Sequence, residues 1–284
     1  MSRFIREALH DETSSTLTEP FLAASIQMVS GVDIAQNLAR AAQHVAQAAD
    51  RGARLVVLPE YFCLMGYSDT DKVMQRESFG EGPIQQALAN MAHQNHVWLV
   101  GGTVPLTCPV HDKVYNTSLL FTPDGQIIAR YDKVHLFGLS GLGERYNEAK
   151  TILAGTRPLG VTIPLARLAL GICYDLRFPE LFRAVTPCDV IVLPAAFTAV
   201  TGNAHWEILV RARAIENQCY VIAATQGGTH ENGRTTHGHA MIVDPWGEII
   251  AELPEGEGVI TATIDPTRIQ SVRNRLPAWR HRVL

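Results

Sequence analysis

Glu60, Lys133 and Cys173 are the three residues of this 284-residue chain whose types and settings could together do chemistry. Each lies in or closes an apolar run. Glu60 ends RLVVLPE (54–60), Lys133 lies in IIARYDKVHLF (127–137), and Cys173 follows Leu168, Leu170 and Ile172 in LALGICYDLRFPEL (168–181). Runs of this kind read as buried strands. In an open parallel sheet the carboxyl ends of the strands line one crevice, so the three side chains are expected to converge there. A carboxylate, an ammonium and a thiol in one crevice suit acyl transfer at a carbon bearing nitrogen. Glu60 would take the thiol proton and later activate water, while Lys133 would stabilise the oxyanion of the tetrahedral intermediate. Pro179 favours the first turn of a helix. A thiol facing that helix N-terminus is expected to have a lowered pKa. Taken singly, a cysteine is an ordinary small core residue, a glutamate after a strand is an ordinary loop carboxylate, and a lysine is an ordinary surface cation. The combination points to catalysis.

The three segments LVVLPE, YDKVHLF and GICYDLRFPEL, in that order, resemble the Glu-Lys-Cys motifs of the nitrilase (carbon–nitrogen hydrolase) superfamily. The resemblance runs from Phe21 to Leu284 through LPAAF (193–197), TGNAHWEILVRARAIENQCYVIAA (201–224) and GHAMIVDPWGEII (238–250). Tyr174-Asp175 after the cysteine, with Arg177, Phe178 and Pro179, is similar to the amidase branch, which holds the omega-amidases and the deaminated glutathione amidases; nitrilases proper carry Trp-Glu there. The resemblance implies an α/β fold, a four-layer αββα sandwich in a single domain, and a homodimer. It implies hydrolysis of a small carboxamide to acid and ammonia through a Cys173 thioester, the substrate being deaminated glutathione or an α-keto acid amide. Alternatives on the same scaffold are a nitrilase, an N-carbamoyl amide hydrolase and an inactive binding relative. A second glutamate is implied in the long connection, where Glu148 in YNEAKTILAG has the expected spacing to Gly155 and Glu144 is the competitor. Tyr67, His135, Tyr174 and Phe197 are the expected substrate contacts, with the Tyr174 backbone N–H offered to the oxyanion. Asp175 and Arg177 could form an ion pair that sets the turn, or Arg177 could bind a substrate carboxylate.

These side chains need a frame, and the rest of the chain supplies one. Apolar residues make up 46% and charged residues 18%, the make-up of a globular domain rather than a disordered or membrane-embedded one. A net charge of −4 with no basic stripe argues against a nucleic-acid partner. Apolar runs are strand-length, too short for a membrane span. Five cysteines at irregular spacing suggest reduced thiols in a cytoplasmic compartment. Neither a CxxC pair nor an HExxH motif occurs, so no metal and no cofactor is expected; His237 and His239 are better read as hydrogen-bonded histidines than as ligands.

Residues 1–20, mixed and rich in Ser and Thr, read as a flexible extension, and 21–284 as the hydrolase domain. Strands are expected at 21–29, 55–58, 97–103, 115–122, 126–131, 169–173, 190–194, 220–224, 239–244, 248–251 and 259–264. Helices are expected from an Asp33 cap to Ala49, and over 83–95, 178–185, 204–217 and from Pro266. The connection 136–158 shows no period. Alternating strands and helices argue for α/β, and the surplus of strands for two sheets.

Overall fold

Alternation of apolar residues along the first strand determines how the layers stack. The computed structural model describes residues 17–141 and 144–283. In β1 (Phe21–Met28), Ala23 joins one core cluster while Ala24, Ile26 and Met28 join another. A period of two puts these sets on opposite faces of a strand. The outward set packs on α1 (Ile34–Asp50), whose N-cap Asp33 accepts from the Gln36 N–H at 3.1 Å, through Ala41, Val45 and Ala48.

The first half continues with β2 (Leu55–Val57), the short α2 (Asp71–Met74), α3 (Pro83–Asn95), β3 (Trp98–Val100), β4 (Val104–Thr107), β5 (Val114–Phe121) and β6 (Ile127–Asp132). The connection that lacked a period holds a small hairpin of β7 (Gly138–Gly141) and β8 (Glu144–Asn147). Then come β9 (Leu159–Thr162), β10 (Arg167–Leu170), α4 (Pro179–Arg183), β11 (Val190–Ala195), α5 (Ala199–Asn217), β12 (Tyr220–Thr229), β13 (Thr235–His237), β14 (Ala240–Val243), β15 (Ile249–Leu253), β16 (Gly258–Ile264) and α6 (Pro266–Arg275).

Strand pairing runs β6–β5–β3–β2–β1–β16 in one half and β9–β10–β11–β12–β14–β15 in the other, with β4 alongside β5. The strands of the two halves pair where Gln27 and Met28 at the end of β1 meet Thr225 and Gln226 of β12. They stack face to face: Ala23, Leu55, Val57 and Leu120 share a core with Leu168, Val190, Val192 and Ile222. α1 and α3 cover one outer face, and α5 covers the other through Trp206, Val210 and Ala214. This is the expected four-layer αββα sandwich in one domain.

Residues 1–16 of the expected extension lie outside the described residues, and Leu17 is buried in the core. Among the described residues no helix is long and apolar enough to cross a membrane. α5 starts at Ala199, earlier than expected, on a Thr198 N-cap. Gly202 disguises this turn in the sequence, but a Cβ there would lie 2.3 Å from the His237 side chain, so close packing requires the glycine.

Candidate active site

β2 delivers Glu60 through a tight turn. Tyr61, next in the chain, takes a φ of 56°, and its N–H is held by Thr103 Oγ1 at 2.9 Å. Gly102 lies so near that a Cβ would meet the Pro59 carbonyl oxygen at 2.3 Å. Together these bring the Glu60 carboxylate into the molecule, where it is buried. Lys133 follows β6 directly; its backbone N–H donates to Asn116 O at 2.9 Å and its carbonyl accepts from Gly155 N at 2.8 Å.

The Lys133 ammonium has no solvent exposure. It lies 2.9 Å from Glu60 Oε1 and 2.9 Å from Glu148 Oε2. Asn116 Nδ2 donates to Glu60 Oε1 at 2.9 Å. Glu148 also accepts from the Tyr61 hydroxyl at 2.8 Å and from the Phe137 N–H at 2.7 Å. Burial alone would push Lys133 down, but the charges of Glu148 and Glu60 outweigh it and hold the ammonium well above its usual range. For Glu148, burial pushes up; the Lys133 charge and three donors override it, leaving the carboxylate below its ordinary value. Glu60 goes the other way. Burial dominates there, Lys133 pulls back, Glu148's charge pushes up again, and the balance is raised.

Cys173 faces Glu60 closely enough that its thiol helps hold the carboxylate charge. β10 ends at Leu170, and Cys173 opens a 3₁₀ turn, Cys173–Arg177, with a φ of 48°. That left-handed backbone turns the sulfur out of the strand. Gly171 is required next to it, because a Cβ would lie 2.8 Å from the Phe182 ring. The expectation of a thiol acidified by a helix N-terminus is not met. The 3₁₀ turn separates Cys173 from α4, burial and then the Glu60 charge push the thiol well above its ordinary value, and Lys133 and the Ala196 N–H only partly offset this.

Asp175 locks the turn, but not through Arg177. Its buried carboxylate accepts from the Tyr131 hydroxyl (2.7 Å), the Ile172 N–H (2.9 Å), the His135 N–H (2.9 Å) and His135 Nδ1 (2.8 Å). Tyr131 and His135 flank Lys133, so one carboxylate ties the cysteine turn to the lysine strand. Arg177 instead lies over the Tyr174 and Phe197 rings, at 5.8 and 5.4 Å from their centroids, with His205 Nδ1 at 3.2 Å.

A pocket of about 210 Å³ opens over Cys173, lined by Phe137, Tyr174, Arg177, Phe197 and Thr201. Tyr174 and Phe197 therefore stand where a substrate contact would be. Two expected contacts do not. Tyr67 is 68% exposed and its hydroxyl donates to Glu231 Oε1 at 3.0 Å. His135 is drawn away to Asp175 and stacks on Phe178 with ring centroids 3.7 Å apart. Sequence reasoning passed over Tyr61 and Asn116, and named Asp175 only as a partner of Arg177. Asn116, with Thr117 and Ser118, leaves a signal as a polar run inside an otherwise apolar strand; Tyr61 leaves none beyond adjacency to Glu60. His237 and His239 stack on each other at 4.4 Å, His239 Nδ1 contacts Glu252 at 2.6 Å, and burial pushes His237 down to about 4. Among the described residues no group of three His, Cys, Asp or Glu side chains could hold a metal ion.

The model of the carbon-nitrogen hydrolase family matches residues 22–274. Deaminated glutathione amidase of Synechocystis sp. is 44% identical over 273 residues, spanning 93% of this chain and 99% of its own. Omega-amidase NIT3 of Saccharomyces cerevisiae is 36% identical over 95% of both chains. Among solved structures, S. cerevisiae Nit3, described as a member of branch 10 of the nitrilase superfamily, superposes with a TM-score of 0.86 at 35% identity, covering 95% of this chain and 99% of its own. A mutant amidase from Nesterenkonia sp. AN1, solved with acrylamide added to its active-site cysteine, superposes with a TM-score of 0.74 at 26% identity, covering 90% and 98%.

Proposed function

Because this chain belongs to the carbon–nitrogen hydrolase family and is an amidase of non-peptide carbon–nitrogen bonds, we propose that Glu60, Lys133, Cys173 and Glu148 are its catalytic residues and Cys173 its covalent nucleophile. One observation carries this reading: a buried ammonium held between two carboxylates, one of which faces a thiol at the floor of a pocket.

Glu60 takes the thiol proton as the sulfur attacks the amide carbon, and the carbonyl π electrons move to oxygen. Lys133 and the Tyr174 N–H receive that oxyanion. Glu60 returns the proton to the departing nitrogen, the C–N bond breaks, and ammonia or an amine leaves a Cys173 thioester. Water then enters, gives its proton to Glu60 and attacks the thioester carbon; the free acid leaves and the thiol is restored. Glu148 stays ionised and fixes Lys133.

The substrate in this reading is the amide of a short α-keto acid, deaminated glutathione first among them. Its support is the names of the relatives and the small pocket, whose aromatic walls carry one guanidinium, Arg177, suited to a carboxylate. The cytoplasm is the proposed compartment, on free cysteines with no disulfide among the described residues. A homodimer is proposed through the exposed Ile208 and Ile215 of α5 and the neighbouring Trp246.

Intact-mass spectrometry after acid quenching tests the mechanism. Wild type should carry an acyl adduct on Cys173 during turnover, and Cys173→Ala should carry none and turn over nothing. Turnover near the wild-type rate in that variant refutes it. A tenfold or greater preference for a simple aliphatic amide over deaminated glutathione, about 1.4 kcal/mol of transition-state binding, refutes the substrate but not the mechanism.

A further inference from the structure

Beyond the pocket, a guanidinium stands with no acid among the described residues to meet it. Arg234 closes the turn between β12 and β13, a turn anchored on three sides. The buried His230 bonds Ser30 O and Thr236 Oγ1 at 2.9 and 2.8 Å, Asn232 Nδ2 donates to Gly66 O at 2.7 Å, and the Arg234 N–H donates to Asn232 Oδ1 at 2.9 Å. The Arg234 side chain is thus presented from a fixed base. Its guanidinium carbon lies 5.1 Å from the Tyr146 ring centroid, and its one polar contact is a weak one to the Met65 sulfur at 3.7 Å. Its Nε is buried with no hydrogen-bond partner.

Among the described residues, Glu231 and Asp69 are engaged elsewhere. Glu231 accepts from the Tyr67 hydroxyl at 3.0 Å and the Val32 N–H at 3.3 Å, and Asp69 lies 3.8 Å from Lys72. Lys72 is a second cation of the same rim. Its ammonium sits 5.6 Å from the Tyr61 ring centroid, reaches Thr151 Oγ1 only at 3.4 Å, and is near enough to Arg234 for the two charges to repel. A partly buried, unpaired guanidinium beside another cation is costly without an anion. An unsatisfied buried donor calls for an explanation, an absent ligand among them.

The position shows which ligand. Tyr146, beneath Arg234, packs 5.5 Å from Phe137, and Phe137 lines the pocket over Cys173 and packs 5.2 Å from Tyr174. Two packed rings, Tyr146 and then Phe137, therefore connect Arg234 to the pocket over the thiol. Arg234 stands against Tyr146 of the β7–β8 hairpin, whereas Arg177 offers a cation in the pocket lining itself. A substrate with an acid at each end would use both, the acyl-side carboxylate at Arg177 and a carboxylate on the departing amine at Arg234.

We propose that Arg234, with Lys72 beside it, binds a carboxylate carried by the amine half of the substrate, and so selects amides with an anionic peptide-like tail over primary amides of the same acid. This rests on the amidase reading of the same site, and it sets which half of the substrate the rim recognises. Arginine suits the task because its planar fork meets a carboxylate with two hydrogen bonds, and Tyr146 holds the plane in place.

The test compares kcat/KM on three substrates: deaminated glutathione, the same molecule with its terminal carboxylate converted to an amide, and α-ketoglutaramate, which has no tail. Wild type should prefer the free acid over its carboxamide by about 10- to 100-fold, the range for a charge-assisted hydrogen bond in a partly buried site. In Arg234→Met that preference should fall to within a few-fold of unity, mainly through KM, and Arg234→Lys should keep part of it. A variant that loses activity equally on all three substrates, or keeps the wild-type preference, overturns the assignment of Arg234 alone. Wild type that hydrolyses none of the three overturns the substrate reading and this inference together.

Discussion

Asp175→Asn tests whether the cysteine turn and the lysine strand are placed by one carboxylate. Two donors meet each carboxylate oxygen: the Tyr131 hydroxyl and the Ile172 N–H on Oδ2, the His135 N–H and ring nitrogen on Oδ1. An asparagine keeps the shape but has one acceptor oxygen. Whichever way the amide turns, its NH₂ faces a backbone N–H that cannot reverse its role, Ile172 in one orientation and His135 in the other. Tyr131 and the imidazole can turn round to accept; the peptide cannot. An unsatisfied buried donor costs about 1–3 kcal/mol, and losing the charge from the remaining bonds raises the total to about 2–4 kcal/mol. Denaturant unfolding monitored by fluorescence reads that loss. The kinetic consequence is separate. Ile172 precedes Cys173 and His135 lies two residues past Lys133, so relaxation around the amide moves the proposed nucleophile and the proposed oxyanion cation relative to each other. A displacement near 1 Å costs about 10²-fold in kcat. KM should change little, since Asp175 is buried behind the turn and does not line the pocket. A variant that loses stability but keeps its kcat refutes the claim that these bonds align the reacting groups. One that loses neither refutes the hydrogen-bond accounting as well.

Glu60→Gln should lower kcat by about 10²–10⁴-fold, yet, since the Glu60 charge raises the Cys173 pKa, iodoacetamide should alkylate Cys173 faster in this variant at pH 8–9. Slower alkylation there reverses the sign argued for that charge. In the wild type, alkylation should be slow at pH 7 and climb with pH, because burial and Glu60 keep the resting thiol protonated; fast labelling at neutrality contradicts this. Lys133→Met leaves two buried carboxylates facing each other, and should cost at least 10²–10³-fold in kcat and about 3–5 kcal/mol in denaturant unfolding; loss of affinity with kcat intact refutes its place at the oxyanion. Glu148→Gln removes a charge that raises Glu60, so the acid limb of the kcat/KM profile should move to lower pH. The depressed pKa of Glu148 contributes stability that is present above its ordinary value of 4.5 and lost as pH falls through the folded value, so acid unfolding below pH 4.5 should flatten in this variant.

Much of the frame could be read in advance because its signals are local. The Asp33 cap, Pro83 at a helix start and the apolar runs at Leu55 and Val190 each depend on a few adjacent residues, and the observed elements start there or within a residue. The misses are features that distant contacts decide. α5 begins before its glycine because His237, far along the chain, fills the space above Gly202. The hairpin after Phe137 has little apolar alternation, and the strands that hold it expose much of their surface. For the site, residue type and strand-end position singled out Glu60, Lys133 and Cys173 as candidates, and the family resemblance added Glu148 through its spacing to Gly155; the structure brings the four together. The partner of Asp175 could not be read the same way. Arg177 is two residues away, but the 3₁₀ turn points the two side chains apart, and the groups that meet Asp175 come from a strand some forty residues earlier. The raised Cys173 pKa likewise follows from a neighbouring charge and from burial, neither of which a short motif displays.

In the proposed mechanism, the opposite displacements of the two glutamates explain how a buried, protonated thiol serves as the nucleophile. One ammonium lies 2.9 Å from both carboxylates, and their surroundings break the tie: burial and the Glu148 charge raise Glu60, while the Lys133 charge, the Phe137 N–H and the Tyr61 hydroxyl hold Glu148 down. Glu148 therefore keeps its charge, and Glu60 carries the one most ready to accept a proton. Moving the proton from Cys173 to Glu60 creates no new charge in the site; a negative charge passes from a carboxylate to the adjacent sulfur, with Lys133 beside both. The desolvation that would make ionising a lone buried thiol expensive is thus nearly the same before and after the transfer. Attack then shifts the charge onto the substrate oxygen, again within reach of Lys133. Burial raises the thiol pKa in the resting enzyme and at the same time strengthens each of these interactions in turn, so a high resting pKa and an efficient nucleophile are consequences of the same dry, charge-balanced pocket.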